Sequence, residues 1–116
     1  MLSPLCSPAI ANDIDQLDWT GIKEHWGQAM LCQRIYSLSE VKPRLYDFDI
    51  EQCSQATILI TKVAGRYSER DRDELRKQAE RHATLLSQNA SDPYNVVPAC
   101  RLFCRDIAAS QGLKND

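Results

Sequence analysis

Apolar residues return every three or four positions along four separate stretches of this chain, a spacing that constrains it to pack as α-helices. In the clearest stretch Cys53, Ala56, Ile60, Val63 and Tyr67 follow one another at steps of 3, 4, 3 and 4. Asp49 offers an N-cap before it, and Gln52 stands at the spacing of a capping box. Residues 56–63 contain enough β-branched side chains to read as a strand. No hairpin signal or second strand exists to pair with them, so the helix is preferred.

The other three stretches carry their own boundary signals. Asp18 can cap a helix over 19–37, where Trp19, Ile22, Trp26 and Met30 share a face; Leu31, Ile35 and Leu38 widen it beyond one stripe, which predicts a substantially buried helix. Ser68 can cap the next helix, with Glu69, Asp71, Asp73 and Glu74 crowding its first turns, where the helix dipole favours acids. Its stripe is Leu75, Ala79, His82 and Leu86; a left-handed cap at Asn89 would end it before the turn chemistry of Asp92 and Pro93. Pro98 suits the first turn of a last helix, expected to end at Gln111 before Gly112, with Cys100, Phe103, Cys104 and Ile107 on one side.

Only four glycines and five prolines punctuate the 116 residues, so long elements are expected. The reading is an all-α single-domain bundle of four main helices, with a short additional helix over 10–17. Residues 1–9, carrying Pro4 and Pro8, read as a flexible arm, 10–112 as the bundle, and 113–116 as a tail. A hydrophobic share of 43% and a charged share of 26% match a soluble globular domain. The longest charge-free run, 1–12, is too short to span a membrane and holds two prolines.

Five cysteines, Cys6, Cys32, Cys53, Cys100 and Cys104, form an odd, unpatterned set, and several have apolar neighbours. Such a set is a poor disulfide framework, so reduced, buried thiols and a cytoplasmic location are expected. The first residues lack the basic and continuous apolar regions of a signal peptide, which fits that expectation. Cys100 and Cys104 lie one helical turn apart and could serve a metal or a thiol reaction. No second cysteine pair and no Gly-rich oxyanion loop accompany them, so a place in the apolar seam is preferred and no cofactor, metal or catalytic residue is assigned. His25 and His82 read as boundary residues.

Net charge is −2, against the basic surplus usual in nucleic-acid binders. The distribution is uneven: residues 1–60 hold four cations against eight anions, and 61–116 hold ten against eight. Arg66, Arg70, Lys77 and Arg81 recur at helical spacing and could form a ridge for phosphates, with Gly65 near the place a helix-turn-helix would need it. Glu69, Asp73 and Glu80 lie among them and weaken that field, which favours a solvated face.

No phosphate loop, glycine fingerprint or His-Glu-x-x-His pattern is present. The leading expectation is a small non-enzymatic protein acting through protein–protein contacts, as an adaptor, regulator or inhibitor of the immunity type. Arg66, Arg70, Lys77, Arg81, Trp19 and Trp26 are its candidate contact residues. A homodimer is expected from the generous apolar surface of Trp19, Trp26 and Met30. A nucleic-acid regulator using 66–82 ranks second, and a thiol or metal protein centred on Cys100 and Cys104 third. The six Trp and Tyr side chains outside this set of charges read as core or boundary; any that is exposed marks a protein contact. An exposed apolar patch would favour a protein partner, and a continuous basic ridge would favour phosphate.

Overall fold

A computed structural model describes residues 14–90 and 92–115. Four α-helices account for most of them: α1 (Trp19–Tyr36), α2 (Asp47–Ala64), α3 (Glu69–Asn89) and α4 (Pro93–Asn115). Single 3-10 turns at Ile14–Gln16 and Lys42–Arg44 precede α1 and α2. No strand occurs among the described residues, so the all-α reading holds and 56–63 is helical. Residues 1–13, with the expected arm, the first half of the expected first helix and Cys6, lie outside the described residues.

The helix starts follow from short polar side chains that satisfy the first free backbone N–H groups. Asp18 accepts from the Gly21 N–H at 2.8 Å, and Ser68 accepts from the Asp71 N–H at 3.2 Å. Two boundaries differ from expectation. Asp49 is the third residue of α2 instead of its cap; its carboxylate reaches back to accept from the Tyr46 N–H at 3.0 Å, so the cap falls at Tyr46 and the helix begins three residues earlier. The last helix begins at Pro93, where Asp92 accepts from the Tyr94 N–H at 3.0 Å. A proline suits that first-turn position, having no N–H to leave unsatisfied. Pro98 therefore sits inside α4, which also continues through Gly112 to Asn115 instead of stopping at Gln111. At Asn89 the expected left-handed cap is absent: the capping residue is Ala90, in extended conformation.

Alternate helices pair most closely, α1 with α3 and α2 with α4, while α1 also packs on α2 and α4. That central position explains why α1 buries eight residues, including Ile22, Trp26, Leu31 and Ile35. The pairs of touching residues give the directions. Cys53–Cys104 and Asp49–Arg101 advance together, so α2 and α4 run the same way. Cys32–Cys100 and His25–Phe103 advance oppositely, so α4 runs against α1. The α1–α3 contact is close because its residues are small. A Cβ on Gly27 would lie 2.8 Å from the Ala79 carbonyl oxygen and from the His82 ring, and Ala79 and Ala83 are fully buried. Arg66 ties the chain's start to the α2–α3 corner by donating to the carbonyls of Leu17 at 2.8 Å and Asp15 at 2.5 Å.

The expectation of reduced thiols is overturned for four of the five cysteines. Cys32 in α1 is bonded to Cys100, and Cys53 in α2 to Cys104. Both partners stand on α4 one turn apart, so one helix face is fastened to two neighbours. The odd count misled because the fifth cysteine falls outside this framework, and apolar neighbours suit a buried disulfide as well as a buried thiol. All four are at most 2% exposed and sit at the centre of the core with Ile22, Ile60 and Leu75.

The bridges close loops of 68 and 51 residues, for which the loss of chain entropy in the unfolded state amounts to about 4 kcal/mol each. Replacing Cys32 and Cys100 together by Ser is expected to cost about 3–4 kcal/mol in urea unfolding, and unreduced peptide mapping should link Cys53 to Cys104 in that variant.

Candidate interaction surface

The charged face of α3 is internally neutralised. Arg76 bonds Asp73 at 2.8 Å and Glu80 at 3.1 Å, Lys77 lies 3.5 Å from Asp73, and Arg81 lies 3.6 Å from Glu74. The Arg76 hydrogen bond, with Lys77 beside it, holds the Asp73 carboxyl below its usual range. Of the four cations expected to form a ridge, Arg66 is turned to the Leu17 and Asp15 carbonyls, and Lys77 and Arg81 face acids on their own helix. Arg70 is exposed and alone does not make a basic surface.

The aromatic candidates on α1 are held inside. Trp26 is buried, so it carries no contact surface. Trp19 is half-buried, its Nε1–H donating to Gln78 at 2.9 Å and its ring meeting Tyr67 edge-on at 5.1 Å. With Met30 packed against the core, the surface from which a dimer was expected is absorbed by α3 and the α2–α3 corner. The histidines are boundary residues as expected. His25 Nδ1 lies 2.8 Å from the Gly21 carbonyl, and His82 packs over Gly27. Cys100 and Cys104 are held in disulfides, and no group of three or more His, Cys, Asp or Glu among the described residues could hold a metal ion.

Exposed apolar side chains are most numerous on α2, while Leu85 on α3 and Leu102 on α4 are exposed singly. Phe48 is 62% exposed and Ile58 60%, with Ile50 partly exposed on the same helix; Tyr46, immediately before it, is 74% exposed. The core contacts of α2 run through Cys53, Ala56, Ile60 and Val63, which turns Ile58 directly away from the bundle. A surface depression of about 470 Å³ follows this outer face from Ile50 to Lys62. A second, of about 360 Å³, shares Ile50 and Ser54 and continues to Tyr36 and Lys42. The helix reading of 50–63 already places Ile58 outside the apolar seam, and that spacing is the signal in the sequence that marks it as a surface residue.

The head of α2 is positioned by a polar cluster next to the Cys53–Cys104 bridge. Asp49, 7% exposed, pairs with Arg101 at 3.2 Å while accepting from Tyr46. Arg101 also donates to the Arg44 carbonyl at 3.2 Å. The Arg44 guanidinium lies 4.3 Å over the Tyr94 ring, and the Tyr94 hydroxyl donates to the Glu40 carbonyl at 3.1 Å. These contacts pin the α1–α2 connection to α4 and hold Tyr46 and Phe48 on a fixed base. Beneath them the Tyr36 hydroxyl is buried with no hydrogen-bond partner among the described residues. Burial pushes it above the usual tyrosine value of 10.0, the Asp49 carboxylate adds to the rise, and Arg101 opposes it.

Two outcomes follow for these groups. Folded Tyr36 keeps its proton where the unfolded chain has lost it, so its contribution to stability is complete below pH 10.0 and is lost as pH rises above that value. Tyr36→Phe, which removes an unsatisfied hydroxyl, should leave stability at pH 7 unchanged or raise it by up to about 1 kcal/mol, and should flatten its decline above pH 10 in chemical denaturation. Replacing Arg70, Lys77 and Arg81 by Gln should change stability by about 1 kcal/mol or less in total, since exposed pairs contribute little. Comparison with protein-family models, curated proteins and solved structures finds no match to this chain.

Proposed function

We propose that this chain is a small, non-enzymatic, disulfide-stapled helical protein that binds a folded protein partner through the outer face of α2. The observation that carries the reading is the exposure of Ile58 and Phe48 on a helix whose opposite face is fully used by the core. Leaving large apolar side chains in water forgoes their transfer free energy, roughly 1.5–3 kcal/mol for each one fully buried, and a partner would recover it. Tyr46 adds a rigid aromatic with a polar tip, a side chain enriched where interfaces concentrate their energy.

The two disulfides move the expected location from the cytoplasm to an oxidising compartment, where such bonds form and persist. They also support the binding role: a stapled bundle presents α2 already ordered, so little conformational entropy is lost on association. No helix among the described residues is long and apolar enough to cross a membrane. The nucleic-acid reading of 66–82 draws no support from α3, whose cations alternate with paired acids.

A photo-crosslinking side chain placed at Ile58, and as a control at Lys77, tests the proposal in the protein's native setting. Position 58 is expected to give a discrete protein adduct and position 77 none. Equal adducts at both positions, or none at 58, would overturn it.

A further inference from the structure

The outer face of α2 has a charge order that matches itself in reverse. Glu51, Gln55, Ile58 and Lys62 follow at steps of 4, 3 and 4 and so share one side of the helix. Neither Glu51 nor Lys62 makes an ion pair with a described residue, whereas α3 pairs three of its acids. Those acids, Asp73, Glu74 and Glu80, are met by cations on their own helix, at short range along one face. Glu51 and Lys62 cannot meet in this way, because they stand about 16 Å apart along the axis.

We infer that the partner on this face is a second copy of the same chain, packed with its α2 antiparallel across a two-fold axis. The inference rests on the reading of that face as a contact surface. A two-fold axis midway between Glu51 and Lys62 brings Glu51 opposite the partner's Lys62, and does so twice. The same axis sets Gln55 against the partner's Ile58, so the exposed apolar side chain lies along a long flexible one at both crossings. A parallel arrangement would place Glu51 beside the partner's Glu51 and Lys62 beside the partner's Lys62, which repel. The isologous contact therefore uses one patch on both copies, as closed dimers do.

The size of the face sets the strength. One 18-residue helix is about 27 Å long, and its outer side offers less than the roughly 800 Å² per partner of a standard interface. Self-association is accordingly weak and concentration-dependent.

Sedimentation of the purified, oxidised chain over a concentration series reads this directly. The mass should rise from 13.2 kDa toward twice that value. Ile58→Asp, Glu51→Lys and Lys62→Glu should each weaken the dimer about tenfold or more with thermal unfolding unchanged. The double variant Glu51→Lys/Lys62→Glu should restore it to within about threefold of the original. That recovery separates charge pairing from misfolding, because a damaged fold would not be repaired by a second reversal. A constant 13.2 kDa at the highest concentration, or a dimer that both single charge reversals leave intact, would overturn the inference. If the chain is monomeric while position 58 still crosslinks a different protein, the second copy is excluded and the contact-surface reading stands.

Discussion

Both disulfides leave from one turn of one helix, and the rest of the architecture depends on that arrangement. Cys100 and Cys104 face the same way because they are four residues apart, yet they reach different helices, Cys32 on α1 and Cys53 on α2. α4 is thereby held against both and cannot rotate or slide along either without breaking a bond. The consequence extends to the polar cluster at the head of α2. Asp49 can remain almost fully buried only while Arg101 stays beside it, one turn from the Cys104 bridge. A buried carboxylate without its cation would be strongly destabilising, so covalent and ionic contacts constrain the same helix pair.

α3 is attached by different physics. It has no covalent link to the bundle and buries only Leu75, Ala79 and Ala83, small or branched side chains that let it approach Gly27 of α1. Between Asp73 and Arg81 its outer side is a lattice of side-chain pairs among its own charges, and Leu85 beyond them is exposed singly. α2 shows the opposite economy. Its inner side supplies Cys53, Ala56, Ile60 and Val63 to the core, and its outer side leaves apolar groups and unpaired charges in water. Two helices of equal prominence in the sequence thus have opposite relations to their surroundings, one self-sufficient and one open.

Much of this was legible from residue spacing. Helix identity followed from the apolar seam, and the caps at Asp18 and Ser68 could be placed because each is a local transaction between one side chain and a backbone N–H within three residues. Asp49 and Pro93 were harder for a related reason: either of two nearby polar residues or prolines satisfies the same local rule, and packing decides which does. The candidate contact residues were read less well. Trp26 and Trp19 look like binding groups in a linear sequence, and only the position of α3 and the corner at Tyr67 shows that they are already occupied.

By itself the sequence determined where helices form, which side of each is apolar, and that α3 would carry mixed charge, since all three depend on neighbours within one or two turns. Tertiary structure alone decided that Cys32 meets Cys100 across 68 residues, that Cys53 meets Cys104 across 51, and that the outer face of α2 is left uncovered. Pairing between cysteines and coverage of a helix face are properties of distance in space. A chain of four helices admits several arrangements with the same seams, and the close approach at Gly27 together with the two bonds from α4 selects one of them.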